Sequence, residues 1–276
     1  MLDWVFLFPG QGSQYVGMGR EFYDDYTEVR ELFAQANDIL GMDVVKLCFE
    51  GPDDVLVQTR HVQPAITVVN LACYTVLQLH EIFPVATAGH SLGEYSALYA
   101  AGVLDLKDVL NLVRWRGHFM EEAAREQPGS MAAIMDIQQD RLQHICTLCD
   151  VEVANINCPE QIIITGRDEP VAKAMAMSEE AGAKKCVKLN VSGPWHSKCM
   201  TLARDQFEPH IRRATFRDPQ ITLVNNVDAE PLKTGTEAAD KLAQQICGSV
   251  LWSQSMERLI RRSEEHTSEL QSRFGI

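Results

Sequence analysis

The sequence predicts an α/β protein: a large unit on a parallel sheet, with a small α/β insert inside it. Three observations carry this. Gly89-His90-Ser91-Leu92-Gly93 stands between an apolar run at 85–88 and a run of small, apolar residues at 94–101. The loop Pro9-Gly10-Gln11-Gly12-Ser13-Gln14 follows directly on another apolar run, 4–8. Residues 131–189 then change texture, alternating short β-type stretches with short helical ones.

A Gly-x-Ser-x-Gly between a strand and a helix is a nucleophile elbow. Its glycines permit the sharp turn, and the serine Oγ is held out at the helix N-terminus. There the backbone N–H of Leu92 and the helix dipole can stabilise a developing oxyanion. Loops at the carboxyl ends of parallel strands build sites, which brings 9–14 to the elbow. That loop lacks the Lys-Ser/Thr of a phosphate-binding loop, so a nucleotide site is not expected.

Taken in order, 4–8 is a buried strand. Phe22, Tyr26, Val29, Phe33, Ala36 and Leu40 mark one face of an amphipathic helix that stops at Gly41. Gln63-Pro64-Ala65 opens an apolar helix reaching about residue 82, and the elbow follows. The next helix, 106–125, carries Arg114 and Arg116, which point apart at a spacing of two. The insert reads as strands at 131–137, 151–156, 161–165 and 185–189, with helices at 138–149 and 169–181. That β-α-β-β-α-β order is the ferredoxin-like pattern. The expected divisions are therefore 1–128 for the first part of the large unit, 129–191 for the insert and 192–261 for the second part. The second part holds a helix, a strand at 221–224, a polar turn at 225–228, a helix at 237–246 and a last helix with Trp252, Met256 and Leu259 on one face.

Composition narrows the function. The formal charge is 25 − 38 = −13, which argues against a nucleic-acid or anionic-membrane surface. Eight cysteines with no export signal suggest a reducing compartment, so a cytoplasmic protein is expected. A single Cys146-x-x-Cys149 within a helix reads as packing rather than a metal site, and no metal or cofactor is expected.

Four separated motifs resemble one family, the malonyl-CoA:acyl carrier protein transacylases of fatty-acid and polyketide synthesis. They are Phe8-Pro-Gly-Gln-Gly-Ser-Gln14, Gly89-His-Ser-Leu-Gly-Glu-Tyr-Ser96, Val113-Arg-Trp-Arg-Gly117 and Gly193-Pro-Trp-His-Ser197. Stretches 155–166 and 224–228 fit as well, and the similarity runs to about residue 261. The resemblance implies an α/β-hydrolase-like core with a ferredoxin-like insert. It implies Ser91 as nucleophile, His196 as general base, and the N–H groups of Gln11 and Leu92 as the oxyanion hole. Arg116 would hold the free carboxylate of the malonyl group, with Gln63 and His90 lining the acyl pocket. Trp195 would crowd a methyl branch, favouring malonyl over methylmalonyl. A backbone carbonyl orients the imidazole in the family, and Gln245 is the matching position. Malonyl-CoA and an acyl carrier protein are the implied partners. Lys184, Lys185 and Lys188, or Arg204, Arg212 and Arg213, are the candidate docking points for an acidic carrier. Glu94, in the first turn after the elbow, is read as a helix-stabilising carboxylate and not as a triad acid. A serine esterase or thioesterase is the rival; it would share the elbow and the base but has no use for a carboxylate-binding arginine.

The end differs in kind. Arg262-Ser-Glu-Glu-His-Thr-Ser-Glu-Leu-Gln-Ser272 reads as the in-frame translation of a common sequencing adapter, so 262–276 is set apart as a non-native tail. It stands where the resemblance implies a further strand, a turn and a terminal helix, and a core left open on one side is the expectation.

Overall fold

A computed structural model describes residues 4–261 as a mixed α/β protein with two sheets. Strand β1 (Trp4–Phe8) leads into helices α1 (Arg20–Asp25), α2 (Thr27–Leu40), α3 (Val44–Glu50), α4 (Asp53–Leu56) and α5 (Thr59–Leu79). Then come β2 (Pro84–Gly89), α6 (Gly93–Ala100) and α7 (Leu106–Glu126). A run β3 (Ser130–Met135), α8 (Gln139–Cys149), β4 (Glu152–Cys158), β5 (Gln161–Gly166), α9 (Asp168–Glu180) and β6 (Lys185–Lys188) follows. The chain ends in α10 (Thr201–Arg213), β7 (Thr222–Val224), α11 (Gly235–Gln245) and a helical stretch at 252–261. The adapter-like tail lies outside the described residues.

The first sheet is parallel, in the order β1-β2-β7. Alternation decides what each face meets. Phe6 and Phe8 turn toward Tyr74 of α5, with ring centroids 6.1 and 6.4 Å away. On the opposite face Ala86, Ala88 and Val224 pack under Leu259, Trp252 and Met256 of the last helical stretch. Val5 and Leu7 share that second face by register with Ala86 and Ala88, yet they remain 36% and 49% exposed. Parallel sheets are ordinarily covered on both faces. Among the described residues this one is covered only in part.

The second sheet is antiparallel, in the order β4-β5-β3-β6. One face, with Ala132, Ile134, Ile162 and Ile164, forms its own core with Leu142, Ile145 and Cys146 of α8 and Val171 of α9. Cys146 and Cys149 are packing residues there, as expected. The other face presents Met131, Ala133 and Ile163 toward the parallel-sheet unit.

Two helix boundaries depart from the sequence reading. The amphipathic run 22–40 is broken at Tyr26, which is extended (φ −118°, ψ 124°). Arg30 explains the break: its Nη1 donates at 2.8 Å to the carbonyls of both Tyr23 and Asp24, satisfying the end of α1 from the first turns of α2. Helix α5 begins four residues earlier than Gln63, so Pro64 lies inside it. Its opening turn is capped from a distance, the Glu121 carboxylate of α7 accepting the Arg60 N–H at 3.0 Å. By length and composition α5 could cross a membrane, but most of it is buried inside the fold.

Candidate active site

The end of β2 and the start of α6 bring the elbow to the carboxyl edge of the parallel sheet. Ser91 sits at φ 50°, the left-handed region disfavoured for residues with a Cβ, as a sharp strand-to-helix turn requires. Loop 9–14 crosses directly over it. A Cβ on Gly93 would lie 2.1 Å from the Phe8 carbonyl oxygen, and one on Gly10 would lie 2.4 Å from that of His90. Only glycine permits that approach, which lays Gln11 along the same cavity as Ser91. Asn226, from the turn after β7, clamps the elbow from behind. Its Oδ1 accepts the Ser91 N–H at 2.7 Å and its Nδ2 donates to the Gly89 carbonyl at 2.7 Å.

His196 arrives from the segment between β6 and α10, also at positive φ (61°). Its Nε2 lies 2.8 Å from Ser91 Oγ. Its Nδ1 faces two acceptors, the backbone carbonyls of Gln245 at 2.9 Å and Gly248 at 3.1 Å. Two carbonyls require the proton on Nδ1, which leaves the Nε2 lone pair to accept from the serine hydroxyl. Gln245, the position matched to the orienting carbonyl, thus meets the imidazole through its main chain.

Arg116, on the buried face of α7, is 1% exposed. Its Nη1 donates to Gln63 Oε1 at 2.9 Å, and its Nη2 donates to Ser91 Oγ and to Gln245 Oε1, both at 3.1 Å. The Tyr95 ring lies 5.6 Å from the guanidinium carbon, and among the described residues Arg116 Nε has no hydrogen-bond partner. Arg114 is set apart against Trp115, as the spacing of two implied. Gln63 is fully buried and does not line the cavity. It stands behind Arg116 and holds it, a correction to the pocket-lining position expected of it.

The cavity beside Ser91 has a volume of about 310 Å³ and lies between the elbow at the end of the parallel sheet and one face of the antiparallel sheet. Gln11, His90, Arg116, Trp195 and His196 supply its polar and aromatic wall; Met131, Ala133 and Ile163 supply its apolar wall. His90 Nε2 is bonded to Asn157 Oδ1 at 2.9 Å, tying the elbow to β4. Leu92 follows the serine directly at the head of α6, its side chain buried. His61, His80 and His118 are bonded to Val55, Tyr26 and Glu122, so they serve packing and surface contacts. Of the basic residues considered for docking, Lys184 pairs with Asp136, Lys188 with Asp168, Arg204 with Asp205 and Arg212 with Glu208 and Asp240. Neither cluster is a bare positive patch.

Two groups escaped the sequence reading. Glu94, read only as a helix-stabilising carboxylate, is 1% exposed and accepts from Gln245 Nε2 at 2.5 Å. The Gln245 side chain, in addition to its carbonyl, reaches Arg116, Glu94 and the Ser91 carbonyl. Burial pushes the Glu94 carboxyl up to about 7, against the opposing pull of Gln245, Asn226 and Arg116. Burial, and then the Arg116 charge, lowers His196 to about 3.

These shifts set a pH signature. His196 stays neutral well below its ordinary 6.5, so phosphonylation of Ser91 by a serine-directed fluorophosphonate should show no acid limb near 6.5. A rate that halves there would mean an ordinary, solvated imidazole. For stability the signs oppose. His196 is depressed in the fold, so its contribution is present above 6.5 and is lost as pH falls toward about 3. Glu94 is raised, so its contribution is present below 4.5 and is lost as pH rises through about 7. Between 4.5 and 6.5 the two offset each other.

Residues 5–268 match the family described as the acyl transferase domain. The chain belongs to that family. It is 41% identical over 266 residues to a malonyl CoA-acyl carrier protein transacylase of Bacillus subtilis, covering 94% of this chain and 66% of that protein. It is 39% identical over 275 residues to the protein of the same name in Escherichia coli strain K12, covering 98% of this chain and 89% of that one. A crystal structure of an acyl carrier protein S-malonyltransferase from Vibrio cholerae superposes with a TM-score of 0.90 at 36% identity, over 94% of this chain and 86% of that one.

Proposed function

We propose that this acyl transferase moves a malonyl group from malonyl-CoA to the phosphopantetheine thiol of an acyl carrier protein, through an acyl-enzyme on Ser91. The observation that carries the reading is Arg116. A buried guanidinium whose Nη2 lies 3.1 Å from the nucleophile hydroxyl is placed for the far carboxylate of a short acyl group. An esterase or thioesterase would use Ser91 and His196 but gains nothing from that charge. The name shared by the relatives supports the same reading.

In this scheme His196 Nε2 takes the Ser91 proton as Oγ attacks the thioester carbonyl. The N–H groups of Gln11 and Leu92 stabilise the oxyanion, each donor contributing on the order of 10²–10³ in rate. Collapse expels the coenzyme A sulfur, which takes the proton back from His196. The carrier thiol then gives its proton to His196, attacks the malonyl ester and leaves as the new thioester, and Ser91 recovers its proton. Nδ1, held by two carbonyls, keeps the ring in one tautomer throughout. Attack on the malonyl ester by water instead would be hydrolysis.

The architecture is assigned in the same terms. The core is α/β-hydrolase-like, the insert at 129–191 is ferredoxin-like, and 1–128 with 192–261 make up the large unit. Strand order β4-β5-β3-β6 supports the insert assignment. A cytoplasmic setting fits the eight free cysteines.

Intact mass spectrometry after exposure to malonyl-CoA or acetyl-CoA, followed by holo-carrier protein, tests the function. Malonylation of Ser91 that transfers to the carrier faster than it hydrolyses is expected. Rapid release of free malonate with no carrier product would favour the hydrolase.

A further inference from the structure

Among the described residues Arg116 has no direct carboxylate partner, although it is 1% exposed. A lone buried charge is costly, so its compensation has to be found. The buried carboxylate that acts on it is Glu94, which reaches it only through an amide. Glu94 Oε2 accepts from Gln245 Nε2 at 2.5 Å, and Gln245 Oε1 accepts from Arg116 Nη2 at 3.1 Å. A carboxylate can only accept and a guanidinium can only donate, so the NH₂ end of the amide faces Glu94, where Asn226 Oδ1 also accepts, and the carbonyl end faces Arg116. The reversed amide would set NH₂ against guanidinium. The same Nε2 also donates to the Ser91 carbonyl at 3.0 Å, which ties the relay to the elbow.

We propose that Glu94 is a positioning residue that acts through the Gln245 amide to orient and charge-balance Arg116, and so sets the preference of the site for acyl groups ending in a carboxylate. This rests on the transferase reading. The arrangement has a chemical logic. A carboxylate bonded directly to Arg116 would compete with the carboxylate of the acyl group. Interposing a neutral amide leaves Nη2 facing the nucleophile, while the negative charge stays behind the site. Glu94 itself touches neither Ser91 Oγ nor His196.

The test compares acylation of Ser91 by malonyl-CoA and by acetyl-CoA above pH 7, where the Glu94 carboxyl is ionised. Glu94→Gln keeps the shape and removes the charge. It should lower malonyl kcat/KM on the order of tenfold, mainly through KM, while acetyl loading changes less than about threefold. Gln245→Met cuts the relay but keeps the backbone carbonyl on His196, and should reproduce the loss. The double variant should be no worse than either single one, because both break one path. If Glu94→Gln does not fold, Gln245→Met alone decides. Equal loss for both thioesters, an unchanged malonyl-to-acetyl ratio, additive losses or a strengthened malonyl preference would each overturn the assignment. Wild-type protein that takes up neither acyl group overturns the transferase reading, and this inference with it. Wild-type protein that loads malonyl while the variants keep its preference overturns this inference alone.

Discussion

Ser91→Ala should abolish covalent malonyl loading and leave the far-UV spectrum unchanged. The hydroxyl is the atom on which His196 Nε2 and Arg116 Nη2 converge, at 2.8 and 3.1 Å. Loss of a nucleophile that acts as one unit with its base costs on the order of 10⁶ in rate. The fold should tolerate the change. Alanine meets the same strain at φ 50° as serine does, and the clamp on the elbow uses the Ser91 main chain, through Asn226 and Gln245, rather than its hydroxyl. Removing Oγ frees one donor of a guanidinium that keeps Gln63 and Gln245. Intact mass and peptide mapping after malonyl-CoA exposure read the result. An acyl adduct persisting in the variant at another residue would move the nucleophile elsewhere.

What the sequence disclosed follows the range of the interactions. The elbow, the loop over it and the β-α-β-β-α-β element order rest on neighbouring residues, and each appears in the structure within a few residues of its expected place. Specific motifs single out His196 and Arg116, and the structure brings both against Ser91 across separations of 105 and 25 residues. The second layer was hidden. Glu94 and Gln245 are 151 residues apart, and a glutamate in the first turn of a helix has an adequate local explanation that conceals its burial. Asn226 read as a polar turn residue, and nothing local says that its amide spans the elbow. The break at Tyr26 and the early start of α5 share that cause, since a side chain from the following helix or from a distant one satisfies the exposed backbone. Side-chain bonds to backbone across long separations set the boundaries that periodicity alone blurs.

Arg116→Ala should reduce malonyl loading far more than acetyl loading. Acetyl has no carboxylate, so only the malonyl complex loses a desolvated, charge-assisted pair, at a cost of about 2–4 kcal/mol or about 30- to 900-fold in kcat/KM. Both substrates should share a smaller common loss, because Arg116 Nη2 also bonds Ser91 Oγ and its charge lowers His196. Without the cation, His196 becomes the stronger base, which partly offsets the misplaced hydroxyl. Glu94 responds as well: its carboxyl, already pushed up to about 7 with Arg116 pulling it down, moves higher and goes neutral. That protonation spares the fold an uncompensated buried anion. The variant is therefore expected to be soluble and folded, but less stable for the orphaned acceptors on Gln63 and Gln245. Arg116→Lys should recover little, because one ammonium cannot span Gln63, Gln245 and a ligand carboxylate in the plane that a guanidinium fork reaches. The measurement is the ratio of malonyl to acetyl kcat/KM for wild type and variant under one buffer condition. Equal losses for the two thioesters would make Arg116 a structural residue of α7 rather than the carboxylate anchor.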